Sequence, residues 1–584
     1  MTMPDAAQTF HDLLARDWAY WTEQFPEWAT VVGESGHNHR WTSVSPDAIE
    51  GRIGHLKALV ADLARIDRAA LGEADRLNLD LYRDLVTSAI EGVAFHLDPF
   101  PIRSVVPRTP LLAVNQLEGV PQDVPMVLSI MPAETAADYE AMLARLEGVR
   151  ALVDQTIDQL RRGMAAGITQ PAMAIRGVPA QLAAQLVVDP DASPILEPFS
   201  RWPASMSGEH RHRLRAAARE LFESHVRPGL ARFQTFLVDH YLPACRQTTG
   251  IDSTPDGEAF YAYLVRWHTT TTLTPAQIHE IGLDQVRRIR AEMTRVQADS
   301  GFTGTFEAFA QFLRTEPSFY FPNSAALLTA YRDICKRADP MLARFFGCLP
   351  RTPYGVLPVP DAAAPSQTTA YYQPGSLVAG RPGNFYANTY NLPARPSWEM
   401  EALTLHEAVP GHHLQVALAQ ELEGLPAFRK HASYTAYIEG WALYAERLGA
   451  EMGFYQNPYS KFGQLTYEMW RAVRLVVDTG LHAFGWTRDQ AVGFFAANTP
   501  KTVDDIVVEV DRYMVWPGQA LGYKIGEIRM VDLRARAEMR LGARFDLRAF
   551  HDLVLGEGAL PLDVLERRLE GWTSAREGSI ADGL

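Results

Sequence analysis

Apolar residues recur at three- and four-residue spacing through most of this chain, a period that predicts helices. DAIEGRIGHLKALVADLARI, AADYEAMLARLEGVRALVDQTIDQLRRGMAAG and EHRHRLRAAARELFESHVRPGLARFQTFLVDHYL all carry it. Gly, Pro and Asp separate these stretches. Residues 1–245 are expected to form an N-terminal helical lobe, with 246–584 a second lobe that is helical again to about residue 350. The proline-punctuated DPFPIRSVVPRTPLLA, near 98–113, is read as a connection that could line a channel. RTPYGVLPVPDAAAPSQ reads as a turn-rich break, and TTAYYQPGSLVAGRPGNFYANTYN as two short strands around Gly and Pro turns. The expected fold is mainly α and two-lobed, with a small β-hairpin or edge-strand element before residue 397.

Composition changes this picture little. The chain has 584 residues, 47% hydrophobic and 21% charged, which is ordinary globular balance at a length beyond one small core. A net charge of −14 argues against nucleic acid and against an anionic membrane surface as partners. Cys245, Cys335 and Cys348 fall at unrelated spacings and are read as reduced core residues. The N-terminal residues lack a basic start and a continuous apolar stretch, and no run of eighteen apolar residues follows. The cytoplasm is therefore the expected location.

The chemistry concentrates in SWEMEALTLHEAVPGHHLQVALAQELEG, residues 397–424. His406-Glu407 followed within two turns by another His is the pattern of a zinc-hydrolase helix. There, two imidazoles hold the metal and the Glu is a base for water. The usual second ligand stands four residues on, and here that position is Pro410. On an ideal helix of about 100° per residue, His406 and His412 diverge; His406 and His413 share a face but stand roughly 10 Å apart. A regular helix cannot make this site. Pro410 lacks an N–H and Gly411 tolerates unusual backbone angles, so a bulge is expected. Absorbing two residues makes His412 the second ligand; using His413 requires three. His279-Glu280, with no histidine in the next two turns, is read as structural, on a helix capped by Thr274 and begun by Pro275.

The third ligand is expected on HASYTAYIEGWALYAERLGAEMG. Glu439 lies beside an apolar face, where an unpaired carboxylate needs a cation, and it follows His412 by twenty-seven residues. Glu446, two turns later, is its rival. Arg474 and Asp478 have ion-pair spacing, and Asp478 could instead orient His482 toward a metal. DRYMVWPGQALGYKIG holds Arg512, Tyr513, Gln519, Tyr523 and Lys524 around a Pro517-Gly518 helix break. No Gly-x-Ser-x-Gly elbow occurs, which argues against serine hydrolysis.

HEAVPGHHLQ, YIEGWALYAERL, RLVVDTGLHAFGW and EVDRYMVWPGQALGYKIG together resemble the bacterial proteins of domain of unknown function 885. Those are similar in turn to gluzincin metallopeptidases of the thimet-oligopeptidase and carboxypeptidase Taq groups. The resemblance runs from about residue 273 to 568. It implies an HExGH-like motif carrying a two-residue insertion, and Zn²⁺ held by His406, His412 and Glu439. It also implies a sheet edge that pairs with extended substrate, and a late tyrosine, Tyr523, that steadies the oxyanion. The expected activity is zinc-dependent hydrolysis of amide bonds in short peptides, with Glu407 as general base and Tyr523 and His482 as catalytic candidates. Hydrolysis of a non-peptide amide or ester, and a metal-containing but inactive binding protein, are the alternatives.

Overall fold

The computed structural model describes residues 5–361, 364, 368–376 and 380–578. It is mainly helical, and two compact units divide it: residues 1–260 with 426–431, and 261–425 with 432–584. The boundary thus falls later than the expected 245, and one short segment after residue 425 returns to the first unit. Among the described residues no helix is long and apolar enough to cross a membrane.

The first unit is built on the helix Ala136–Ala165, whose Thr135 and Asp138 form a capping box. Its buried Leu146, Val149, Val153, Ile157 and Leu160 recur at helical spacing and join Phe222, Leu230, Phe233 and Tyr241 in one apolar core. The 98–113 connection is irregular apart from a short 3-10 turn at Pro110–Leu112.

The second unit carries the candidate chemistry on seven helices, labelled in chain order. They are α1 (Pro275–Asp299), α2 (Met400–Glu407), α3 (His412–Glu421), α4 (Thr435–Leu448), α5 (Pro458–Ala483), α6 (Val503–Val515) and α7 (Leu521–Leu541). Thr274 caps α1 and Pro275 begins it, as its sequence predicts. Helix α5 is buried nearly all round, with Leu465, Met469, Val473, Val476 and Leu481 in contact with neighbouring elements. That is why the charged residues it carries, Glu468, Arg471, Arg474 and Asp478, are buried as well.

The sheet has three strands rather than a hairpin. β1 (Tyr354–Pro358), β2 (Ala370–Gln373) and β3 (Gly383–Ala387) lie in the order β1-β3-β2. β3 pairs antiparallel with β2 and parallel with β1. β1 occupies the segment read as a turn-rich break. Its flanking prolines sit at or beyond the strand ends, where a missing N–H costs no ladder bond. Cys245 and Cys335 are buried, but Cys348 is exposed, two residues before Pro350, and so is not a core residue.

Candidate metal centre

Helix α2 ends where the bulge was expected, and the structure corrects the form of that irregularity. Instead of a bulged single helix there are two helices joined by Ala408–Gly411, with a cis Val409-Pro410 peptide. The Ala408 N–H closes α2 on the Thr404 carbonyl at 2.8 Å, and the His413 N–H reaches back to the Ala408 carbonyl at 3.1 Å. The Trp441 indole donates to the Pro410 carbonyl at 2.8 Å and pins the connection to α4. A Cβ at Gly411 would overlap the carbonyl oxygens of Leu405 and His406, so only glycine permits this reversal.

The break delivers what a continuous helix cannot. His406 and His412 approach to 4.8 Å between ring centroids, at 86° to each other. Glu439, from α4, places Oε2 3.6 Å from His406 Nε2 and 3.5 Å from His412 Nε2. One ligand atom from each of the three lies within 4.8 Å of the other two, and among the described residues this is the group able to hold a metal. Glu439 Oε2 is buried with no hydrogen-bond partner, the mark of an oxygen whose natural neighbour is a cation. The donor set of two imidazoles and one carboxylate is that of open zinc sites.

Burial and the neighbouring charges set the proton affinities of the group. Burial, with the neighbouring charges of His412 and Arg471, holds His406 well below its ordinary value, and therefore neutral. Burial pushes Glu439 up, but the His412 and His406 imidazoles outweigh it and hold the carboxyl down at about 2. For His412, burial is outweighed by Glu439, and its pKa rises. Glu407, only partly accessible, is pushed up to about 7, chiefly by burial and against the pull of His412. The Tyr372 main-chain amide of β2 bonds its carboxylate.

His413 turns the other way. Its Nδ1 meets the Tyr372 hydroxyl at 3.0 Å, and its ring lies 4.6 Å from that of Tyr354. His279 is also elsewhere, on the Thr479 hydroxyl at 2.8 Å. His482 is not brought to the cluster: it is fully buried, with Nε2 2.9 Å from the Tyr513 carbonyl. Asp478, expected to orient it, accepts from the Tyr261 hydroxyl at 2.5 Å and from the Gly518 amide at 3.1 Å. His482 thus lies outside the group of His406, His412 and Glu439.

Tyr523 comes close by a helix crossing. Gly440, next to Glu439, meets Gly526 of α7 so closely that a Cβ on it would stand 2.6 Å from the Gly526 Cα. Tyr523 lies one turn before Gly526 on α7, and the Glu439 charge helps burial raise its pKa.

Three residues carry more than their spacing announced. Glu446, weighed only as a rival ligand, places Oε1 2.8 Å from His406 Nδ1. Arg471 Nη2 stands 3.7 Å from that same oxygen. Glu509 accepts from Arg474, Arg512 and Tyr513 on one oxygen, Oε2, at 3.0, 3.0 and 2.6 Å. The i+7 placement of Glu446 on the Glu439 face was a usable signal; Glu509 offered none.

The family described as bacterial protein of unknown function (DUF885) matches residues 26–569. The chain belongs to the DUF885 family. A candidate lipoprotein from Colwellia psychrerythraea is similar in structure, with a TM-score of 0.91 at 28% identity, over 98% of this chain and 100% of that one. A candidate lipoprotein of unknown function from Shewanella oneidensis shares the fold, with a TM-score of 0.74 at 16% identity, over 97% and 99% of the two chains. No curated protein matches this DUF885 chain.

Proposed function

We propose that this chain is a zinc-dependent hydrolase that cleaves amide bonds in short peptides. The observation that carries the reading is the triangle of His406, His412 and Glu439, with Glu439 Oε2 buried between two imidazoles and making no hydrogen bond, and with an intact Glu407 beside His406 in the chain. Ligation alone does not require Glu407, so its presence favours an enzyme over a metal-containing binding protein.

A zinc ion bound by those three residues would polarise the scissile carbonyl and acidify water. The chain's own groups supply the rest. Glu407 takes the proton of the attacking water and returns it to the leaving amine, held in place by the Tyr372 amide. Glu446 fixes the orientation of His406 through Nδ1. Tyr523 donates its hydroxyl to the carbonyl oxygen as negative charge develops there. β2 is an outer strand of the sheet, a position from which a strand can pair with an extended peptide main chain without reading side chains.

A two-lobed architecture of the gluzincin kind, with a channel that admits short peptides, is part of the same reading. So is a cytoplasmic location, which cell fractionation tests, since a structural relative at 28% identity is described as a lipoprotein.

The deciding experiment is mass spectrometry of a peptide library after incubation with zinc-loaded protein and with its Glu407→Gln variant. Cleavage by the wild type that falls about 10² to 10⁴-fold in the variant supports the reading. A variant that keeps a tenth of the activity removes Glu407 from its role. Acylated amino acids hydrolysed while peptides stay intact would move the substrate to non-peptide amides.

A further inference from the structure

Next to the metal-ligating group lies a concentration of positive charge that the proposed hydrolysis step does not use. Arg471 and Arg474 stand one turn apart on α5, about 5 Å along the axis. Arg471 faces Glu446, the partner of His406. Arg474 lies one turn along α5 from that contact, and its guanidinium packs over the Tyr523 ring at 4.4 Å. Tyr523 also feels the Glu439 charge, which links this second site to the metal group.

The charges here do not cancel. Arg474 and Arg512 both pair with one carboxylate oxygen, Glu509 Oε2, each at 3.0 Å. The nearest further carboxyl group on α5, Asp478, spends its hydrogen bonds on Tyr261 and Gly518. Two guanidiniums against one carboxylate leave a surplus positive charge. An arginine remains charged even when buried, so the surplus persists and calls for an anion.

The donors to bind that anion are free. Arg474, 7% exposed, uses Nε on the Tyr513 hydroxyl and Nη2 on Glu509, while Nη1 is buried without a partner. Arg512 uses Nη1 on Gln519 and Nη2 on Glu509, and its Nε is likewise unpartnered. The Glu509 and Tyr513 contacts fix both guanidiniums in place, so little side-chain entropy is lost when an anion arrives.

We propose that Arg474, with Arg512 beside it, is an anion subsite that receives the free carboxylate of the substrate and confines cleavage to within two residues of a peptide C-terminus. This rests on the hydrolase reading for its link to cleavage. A carboxylate is the occupant a fixed guanidinium suits best among groups that every peptide carries. An extended chain advances only about 3.5 Å per residue, so a carboxylate held across Tyr523 from the ligands puts a nearby carbonyl at the metal group.

The test has a binding arm and a cleavage arm. Zinc-loaded wild type is titrated with pooled N-acetyl amino acids, with the same compounds as C-terminal amides, and with inorganic phosphate. The acids are expected to bind about 10 to 100-fold more tightly than the amides, and Arg474→Met to abolish that preference. Equal binding of acids and amides, or equal binding of phosphate, overturns the subsite. The wild-type comparison decides this even where the variant does not fold. In the cleavage arm, tripeptides are offered as free acids and as amides. Loss of one or two C-terminal residues from the acids alone supports the proposal. Equal cleavage of acids and amides leaves the hydrolase standing and removes the subsite. Selective acid binding with no cleavage of any peptide leaves the subsite standing and removes the hydrolase.

Discussion

Glu446 Oε1 lies 2.8 Å from His406 Nδ1, and this contact turns the opposite ring nitrogen, Nε2, toward Glu439. A histidine whose Nδ1–H is held by a carboxylate presents a fixed, more basic Nε2 to a metal. Glu446 itself is fully enclosed, and burial pushes its carboxyl up to about 7 against the pull of Arg471.

Glu446→Gln keeps the shape and an acceptor but removes the charge. Zinc affinity is expected to fall about 10 to 100-fold, read by competition with a chromophoric chelator, while far-ultraviolet circular dichroism stays unchanged. A change of less than about twofold would mean that Glu446 only fills space beneath His406.

His412→Ala and His413→Ala are expected to behave differently although the residues are neighbours. His412 Nε2 stands 3.5 Å from Glu439 Oε2, whereas His413 faces Tyr372 and Tyr354. Elemental analysis after dialysis should find stoichiometric zinc lost from His412→Ala and kept by His413→Ala. The reverse result would remove His412 from the ligand set.

Much of this was legible in the sequence, for physical reasons that also mark where legibility ended. The choice of His412 over His413 followed from the reach of two imidazoles toward one ion, which any backbone path must satisfy. The path itself was not legible. A bulge and a break with a cis Val409-Pro410 peptide both follow from Pro-Gly, and only tertiary contacts such as Trp441 on the Pro410 carbonyl select between them. β1 was hidden because YGVLP alternates poorly and sits among turn residues; its strand character comes from pairing with β3. The Arg474–Glu509–Arg512 cluster joins α5 to α6, and no spacing rule reaches across two helices. Asp478 and His482 show the opposite failure. Their four-residue spacing was real, but each found its partner outside that spacing, in Tyr261 and in the Tyr513 carbonyl.

Tyr523→Phe keeps the ring on which Arg474 packs and removes only the hydroxyl. A donor that acts on the developing oxyanion should cost kcat without KM, by roughly 3 kcal/mol or about 10² in rate. Steady-state kinetics on a cleaved peptide checks this. If KM rises alone, Tyr523 binds substrate and the oxyanion donor lies elsewhere.

A histidine away from the metal group makes stability depend on pH. His551, on the helix Leu547–Leu555, is fully buried. Its Nδ1 stands 2.8 Å from the Phe345 carbonyl, and its Nε2 is 2.8 Å from the Tyr444 hydroxyl. Arg534 donates to that hydroxyl at 3.1 Å, so the Tyr444 proton points to Nε2 and the ring must be neutral. Burial accordingly pushes its pKa down to about 4, against an ordinary value of about 6.5 in the unfolded chain. A depressed value means that the unfolded state takes up the proton first as pH falls. The stabilising contribution is complete above about pH 6.5 and is lost progressively toward pH 4, at about 1.4 kcal/mol per unit. Between pH 7 and pH 5 the wild type should lose about 2 kcal/mol through this one group. His551→Gln does not titrate. It should be less stable than wild type at pH 7, but its denaturant midpoint should fall less between pH 7 and pH 5, by that same amount. Parallel losses in the two proteins over this range would mean that the imidazole is not held neutral by Tyr444 and the Phe345 carbonyl.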